Sequence, residues 1–391
     1  MGFADISNLP FPWDLLEESK ERASAYPGGL VDLSIGTPVD ATPKVIQDAL
    51  IAAANNPGYP ATYGTLELRE AVVNWFSRCR RVPNVDSTGV LPTVGSKELV
   101  AFLPSLLGLS GEDVVVYPAV AYPTYEIGAQ LAGCASLATD NVRDWENNPQ
   151  VKLIWVNTPG NPSGKVLTKA QLREIVAAAR RIGAVVISDE CYALLPWSDE
   201  LVAGGVASLL DPEVCAGDST GLLVTYSLSK QSNLAGYRAA FVAGDSDLIA
   251  RLLLIRKQAG LIVPGMVQKA MVAALSDDDH VREQYQKYAQ RRDILSKAVV
   301  KCGLRIDNSE AGLYLWVCDP SVVSGKEPAS SWDLVSRFAD LGILVAPGAF
   351  YGKAGEQHVR LALTASDERI IAAAERLAGK RSFASGNPTE T

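Results

Sequence analysis

Gly221-Leu222-Leu223-Val224-Thr225-Tyr226-Ser227-Leu228-Ser229-Lys230 joins an apolar run to a hydroxyl-bearing turn that ends in a lysine. Gly236-Tyr237-Arg238 follows, and then a second apolar run, Ala239-Ala240-Phe241-Val242-Ala243-Gly244. Short apolar runs bounded by Gly and polar residues predict buried strands, so Lys230 is expected at a strand end. The hydroxyls of Ser227 and Ser229 and the guanidinium fork of Arg238 suit a phosphate. A desolvated lysine near another cation has the lowered pKa that Schiff-base chemistry needs. Together they point to pyridoxal phosphate held covalently by Lys230. Taken by itself, the segment also reads as a strand followed by a surface lysine.

Two further runs strengthen the cofactor reading. Ala184-Val185-Val186-Ile187-Ser188 predicts another buried strand and delivers Asp189-Glu190-Cys191-Tyr192. A carboxylate there serves as a helix N-cap or, in a pyridoxal phosphate enzyme, keeps the pyridine nitrogen protonated. Tyr192 would donate to the ring's phenolic oxygen. Val151-Lys152-Leu153-Ile154-Trp155-Val156 leads into Asn157-Thr158-Pro159-Gly160-Asn161-Pro162-Ser163-Gly164, a turn-rich loop whose Asn161 amide would reach the same oxygen. Three strand-to-loop junctions each carry one part of a cofactor cradle.

Composition sets bounds. The 391 residues give room for a large core and two domains, with 20% charged and 48% hydrophobic residues, as in soluble globular proteins. A net charge of −8 offers no basic surface for nucleic acid. No apolar run approaches a membrane span, and the N-terminus lacks a signal or myristoylation pattern. The six cysteines have no CxxC spacing, which suits reduced thiols in a cytoplasm. The two histidines, His280 and His358, have charged sequence neighbours and are expected at the surface, and no metal site is expected.

The strand–loop–helix alternation predicts an α/β domain with a mostly parallel sheet. Helices are expected over 66–81, 98–107, 125–131, from Thr168-Lys169-Ala170-Gln171 to Arg181, and over 279–300; Thr168 and Gln171 have capping-box spacing. Strands are expected at 90–94, 113–117, 312–317 and 342–346. The organisation predicted is an N-terminal segment 1–44 joining a small domain, a large cofactor domain 45–285, a small α/β domain 286–380 and a polar tail 381–391.

The Asn-Pro-x-Gly turn, the Asp-Glu-x-Tyr segment and the Ser-x-Ser-Lys…Gly-x-Arg segment stand in the order and spacing of a known family. Over almost its whole length the chain resembles the fold-type I, aspartate-aminotransferase-like enzymes that use pyridoxal phosphate. Residues 227–238, Ser34-Ile35-Gly36-Thr37-Pro38-Val39-Asp40, Gly95-Ser96-Lys97-Glu98-Leu99-Val100 and Leu344-Val345-Ala346-Pro347-Gly348 are similar to actinobacterial N-succinyldiaminopimelate aminotransferases. The resemblance implies a large domain with a mostly parallel central sheet, a smaller α/β domain and a cytoplasmic homodimer with shared sites. The implied activity is amino transfer between N-succinyl-LL-2,6-diaminopimelate and 2-oxoglutarate in lysine and diaminopimelate biosynthesis. Alternatives on the same cradle are aspartate, aromatic or kynurenine aminotransfer, or carbon–sulfur β-elimination.

Site residues are carried over position by position. Ser96 and Lys97 lie where a helix N-terminus would face the phosphate, although Ser96 also reads as a helix cap. Tyr122 matches the aromatic that stacks on the cofactor ring. Tyr59 matches the tyrosine that reaches the neighbouring subunit's cofactor, with Tyr63 competing. Arg360 lies inside the apolar strand His358-Val359-Arg360-Leu361-Ala362-Leu363; a buried guanidinium needs a partner, and its fork fits an α-carboxylate. The resemblance adds Asn161 and the backbone near Gly36 to that subsite. Arg256 and Lys257 read either as contacts for a distal carboxylate or as helix-surface cations. Lys230 would also move the Cα proton as base and acid.

Overall fold

The apolar runs form strands because both of their faces are covered. In the run before Lys230, Leu222, Val224 and Tyr226 pack into one core while Leu223 packs into another on the opposite face. Alternation of this kind produces a continuous hydrophobic stretch rather than an amphipathic one. The computed structural model describes residues 12–321 and 328–379; the polar tail expected at 381–391 and the start of the N-terminal segment lie outside them.

A short strand, β1 (Val31–Asp32), comes first. A seven-stranded sheet follows, built from β2 (Val90–Val94), β3 (Gly111–Tyr117), β4 (Cys134–Ala138), β5 (Val151–Asn157), β6 (Val185–Asp189), β7 (Leu222–Ser227) and β8 (Ala239–Gly244). Its order is β2-β8-β7-β6-β5-β3-β4. β8 is antiparallel to both neighbours and every other pair is parallel. The fold is therefore α/β with a mostly parallel central sheet flanked by helices. On one face Trp75 and Phe76 of the helix Leu66–Arg80 pack against Tyr226 and Phe241.

The C-terminal third contributes β9 (Arg305–Asp307), β10 (Tyr314–Cys318), β11 (Ile343–Leu344), β12 (Ala346–Pro347) and β13 (His358–Ala362). An antiparallel sheet runs β12-β13-β10-β9, and β11 pairs in parallel with β1. The stretch expected as one strand at 342–346 is thus two short ones that serve different sheets. The helix Asp279–Lys301 spans 23 residues and packs on the helix Asp367–Ala378. Thr168 and Gln171 form the expected capping box of the helix Lys169–Ile182.

Parallel register brings the strand ends together. Asn157 lies opposite Asp189, and Asp189 opposite Thr225. All three cradle loops consequently leave the sheet at its carboxyl edge, where open α/β sheets place their ligand crevice.

The expected surface position of His280 is not observed. His280 is buried, with Nε2 2.8 Å from the Ser232 hydroxyl and Nδ1 3.1 Å from an Asp277 carboxylate oxygen. Its sequence neighbours are charged, but the helix turns its own face onto the segment that follows Lys230. His358 is also drawn in: it stacks on Trp316, with ring centroids 4.8 Å apart, and hydrogen-bonds Asp307. Asp307, Cys318 and His358 form a compact cluster, yet Arg305 already pairs with the Asp307 carboxylate through two nitrogens.

Candidate active site

Lys230 does not sit on the strand itself. β7 stops at Ser227, whose side chain caps the one-turn helix Leu228–Gln231, and Lys230 rides on that turn. The Ser227 hydroxyl accepts from the Ser229 N–H and donates to the Ser229 oxygen at 2.8 Å. Burial, and then the nearby Arg360 and Arg238 guanidinia, hold the Lys230 ammonium below the ordinary lysine value. Its Nζ donates to the carbonyl of Gly36.

One cavity of about 280 Å³ is lined by Gly36, Ser96, Lys97, Tyr122, Asn161, Asp189, Tyr192, Ser227, Ser229, Lys230, Arg238 and Arg360. Of the residues assigned from the sequence, only Tyr59 lies elsewhere, fully exposed on the surface. Tyr63 is engaged within the chain: its hydroxyl donates to the Thr88 carbonyl and Arg69 covers its ring.

Asp189 and Glu190 leave β6 in opposite senses. Asp189 faces the cavity, where it accepts from the Tyr125 hydroxyl at 2.9 Å and the Cys191 N–H at 3.2 Å. Among the described residues no cation pairs with it, and burial raises its carboxyl above the usual carboxylate value. Glu190 points into the core and meets Arg80 at 2.5 Å, with Ser208 and the Leu209 N–H completing its bonds. A buried carboxylate left without a cation is unstable unless a ligand supplies positive charge. A protonated pyridine ring is such a ligand.

The other parts fit the same ring and its phosphate. Asn161 gives its amide oxygen to Arg360 at 2.9 Å, which leaves its NH2 as the donating end. Its backbone N–H is fixed by Asn157, which is itself tied to the Asp189 carbonyl. The helix Ser96–Leu106 begins at Gly95 with φ 75° and has no side-chain cap, so Ser96 is not the helix cap. A helix N-terminus of this kind presents backbone N–H groups to an anion. Gly95 is required: a Cβ there would lie 2.2 Å from the Arg238 guanidinium. Tyr122 stands edge-on to Tyr125 with centroids 6.0 Å apart.

Arg360 is 3% exposed. It donates to the Ser34 carbonyl at 2.5 Å and to Asn161, and lies 4.1 Å from the centroid of the Tyr314 ring and 5.1 Å from that of Tyr351. No carboxylate among the described residues pairs with it. Arg256 is the opposite case. It is wholly buried, does not line the cavity, and grips Glu98 through two bonds of 2.7 and 2.9 Å. Contact with a distal substrate carboxylate is therefore excluded for Arg256 as placed.

The sequence reading missed Tyr125 and Tyr314. Tyr125 was visible only as a helix start, and its bond to Asp189 depends on the helix Thr124–Ala132 lying over β6. Tyr314 lies 46 residues from Arg360 and 122 from Tyr192, in no local pattern; its hydroxyl is 3.2 Å from that of Tyr192. The six cysteines are free thiols, and among the described residues no helix is long and apolar enough to cross a membrane.

The family model for aminotransferases of class I and II matches residues 29–377. The chain is 53% identical, over 95% of its length and all of the relative's, to the 4-dedimethylamino-4-oxo-anhydrotetracycline transaminase OxyQ of Streptomyces rimosus. It is 52% identical to the probable aminotransferase Rv1178 of Mycobacterium tuberculosis, covering 95% of this chain and 86% of that one. An LL-diaminopimelate aminotransferase of Aquifex aeolicus is 31% identical, over 94% and 96%. Among solved structures, an aminotransferase from Neisseria meningitidis superposes with a TM-score of 0.82 at 30% identity, over 95% and 97%. A probable N-succinyldiaminopimelate aminotransferase from Thermus thermophilus does so at 0.81 and 28%, over 94% and 99%.

Proposed function

The chain belongs to the class I and II aminotransferases, and from that premise we propose that its amino donor is N-succinyl-LL-2,6-diaminopimelate and its acceptor 2-oxoglutarate. It is a fold-type I enzyme, and its cofactor is pyridoxal 5′-phosphate. The likeness to the Thermus protein and to LL-diaminopimelate aminotransferases supports this donor, and with it a place in diaminopimelate and lysine synthesis.

In this reading the residues divide the work. Ser96, Lys97, Ser227, Ser229 and Arg238 hold the phosphate through charge-assisted and backbone bonds. Asp189 keeps the ring nitrogen protonated, Tyr192 and Asn161 donate to the ring oxygen, and Tyr122 covers the ring face. Pyridoxal phosphate supplies, when bound, the sink for the electron pair released at Cα. Lys230, whose buried amine is held below the ordinary lysine value, would take the proton from the substrate's Cα and hold it for return. Arg360 orients the α-carboxylate. A cytoplasmic homodimer, with the exposed Tyr59 reaching the partner's cofactor, and the division at residues 45, 286 and 381 belong to the same proposal.

The single observation that carries aminotransfer of a carboxylate-bearing substrate is Arg360, buried among tyrosines with no acidic partner among the described residues. The donor is tested by kcat/KM for N-succinyldiaminopimelate against aspartate, phenylalanine and kynurenine, with 2-oxoglutarate as acceptor. A preference above about tenfold, roughly 1.4 kcal/mol of transition-state discrimination, is expected, and a smaller one contradicts the named donor. The 53% identity to OxyQ favours a second reading, amination of a 4-oxo tetracycline-type ring ketone. Turnover of such a ketone with glutamate, and none of N-succinyldiaminopimelate, would select it.

A further inference from the structure

Tyr314 stands in the cavity with no task in the chemistry so far. It comes from β10, buried at 3% exposure, two residues before the Trp316 that faces Arg360 in register. Its ring carries the Arg360 guanidinium at 4.1 Å, and its hydroxyl lies 3.2 Å from that of Tyr192. A Cβ added to Gly36 would meet the Tyr314 oxygen at 2.2 Å. The hydroxyl therefore presses on the residue whose carbonyl receives Lys230. One phenol touches the carboxylate-binding arginine, the lysine's anchor and the tyrosine that faces the cofactor. These groups come from three separated parts of the chain. Phenylalanine would fill the same apolar volume without a hydroxyl that must be hydrogen-bonded when buried.

We propose that Tyr314 is a positioning residue that links Arg360 to Tyr192 and Lys230, so that an anion arriving at Arg360 is registered as proton uptake by the tyrosine pair. The electrostatics agree with the contacts. Burial alone would raise Tyr314, but the Arg360 cation, and after it the Lys230 amine, outweigh it and hold the phenol below its ordinary value; Arg360 keeps its charge when Lys230 carries the cofactor. Tyr192 is pushed well above that value by burial and by Tyr314 itself. Tyr314 is thus the member of the pair that releases its proton first. A substrate carboxylate on Arg360 cancels the nearer positive charge and moves the Tyr314 titration upward, so at a pH where the phenol has ionised it takes a proton from solvent. Among the described residues Arg360 and Lys230 are the cations that bear on it, and Tyr192, Cys191, Tyr351 and Tyr288 are the other ionisable groups. A protonated Tyr314 then presents Tyr192 with a neutral partner once the carboxylate site is filled, and the substrate-free site differs.

The proposal rests on Arg360 as the carboxylate site. Its test uses the holoenzyme in its pyridoxal form, which 2-oxoglutarate can occupy without turnover because it has no amine to give. The readout is the tyrosinate ultraviolet band as a function of pH. In the wild type one of the thirteen tyrosines should ionise ahead of the ordinary range near pH 10, and saturating 2-oxoglutarate should move that step upward by about one pH unit. Tyr314→Phe should abolish the early step and its response, while Tyr192→Phe keeps an early step. In turnover, Tyr314→Phe should flatten the alkaline rise of KM for 2-oxoglutarate while kcat changes less than threefold; a packing defect would raise KM equally at every pH. An early step that survives in Tyr314→Phe, or that 2-oxoglutarate leaves unmoved in the wild type, overturns the proposal. The wild-type titration decides the matter even if the variant fails to fold. If calorimetry shows that 2-oxoglutarate does not bind the wild type, the carboxylate role of Arg360 falls first; binding without a tyrosine response overturns the link alone.

Discussion

Arg256 and Arg360 are both buried arginines on regular elements, and their surroundings differ in one respect that decides their roles. Arg256, in the last turn of the helix Ser246–Ala259, meets the Glu98 carboxylate through two nitrogens. Arg360, on β13, meets carbonyl oxygens and tyrosine faces but no carboxylate among the described residues. The first charge is balanced within the fold, and the second has no acidic partner among the described residues. The same contrast separates Glu190, paired with Arg80, from its neighbour Asp189, which has no cation partner among the described residues. The proposed binding residues are therefore set apart not by burial of a charge but by burial without an opposite charge.

The largest effects should come from breaking that contrast at the carboxylates. Asp189→Asn should leave cofactor bound, seen as unchanged visible absorbance, while kcat falls by about 10³-fold, because an amide cannot hold the ring proton by charge. Glu190→Gln should do the reverse, lowering unfolding stability by about 3–5 kcal/mol through an uncompensated buried Arg80 while the folded fraction keeps its kcat. Equal losses of turnover in the two variants would erase the distinction.

Arg256→Met should come next, with roughly 3 kcal/mol lost in denaturant unfolding and no change in KM for any substrate. A raised KM for one donor alone would restore Arg256 to substrate recognition. Arg360→Lys should lower kcat/KM about 10²-fold for donor and for 2-oxoglutarate alike, since lysine cannot reproduce the bidentate fork, with thermal unfolding shifted by only a few degrees.

The contrast also explains what the sequence could reveal. Residues proposed to hold the ring and phosphate sit at ends of strands, next to turn residues, so Asp189, Asn161, Ser227 and Lys230 announce themselves through local pattern. The run 222–227 was legible as a strand because both of its faces are buried. What local pattern does not carry is a partner brought from far along the chain. Glu98 meets Arg256 across 158 positions, so the sequence left Arg256 open as a substrate contact. Ser232 reaches His280 across 48, and that bond overturned a surface expectation drawn from charged neighbours. Tyr314 was invisible for the same reason. The helix that carries Lys230 is one turn long, too short to show a helical period.

The smallest expected effect concerns the apo-protein's stability with pH. Lys230 has a folded pKa below its unfolded one, chiefly through burial, so the unfolded chain binds more protons between the two values. Its contribution therefore grows more favourable as pH rises through that window and is least favourable below it. Relative to the wild type, apo Lys230→Met should gain stability as pH falls from about 10.4, the ordinary lysine value, and the difference should level off at lower pH. Parallel wild-type and variant curves from denaturant titrations over this range would mean that Lys230 is not held as a depressed, buried amine.

The most direct measurement is the covalent one. Holoenzyme reduced with borohydride and digested with protease should yield one pyridoxyl-labelled peptide, and the label should lie on Lys230. Lys97 lines the same cavity and is the sharpest internal alternative. Label on Lys97, or on any lysine other than Lys230, would contradict the site as assigned.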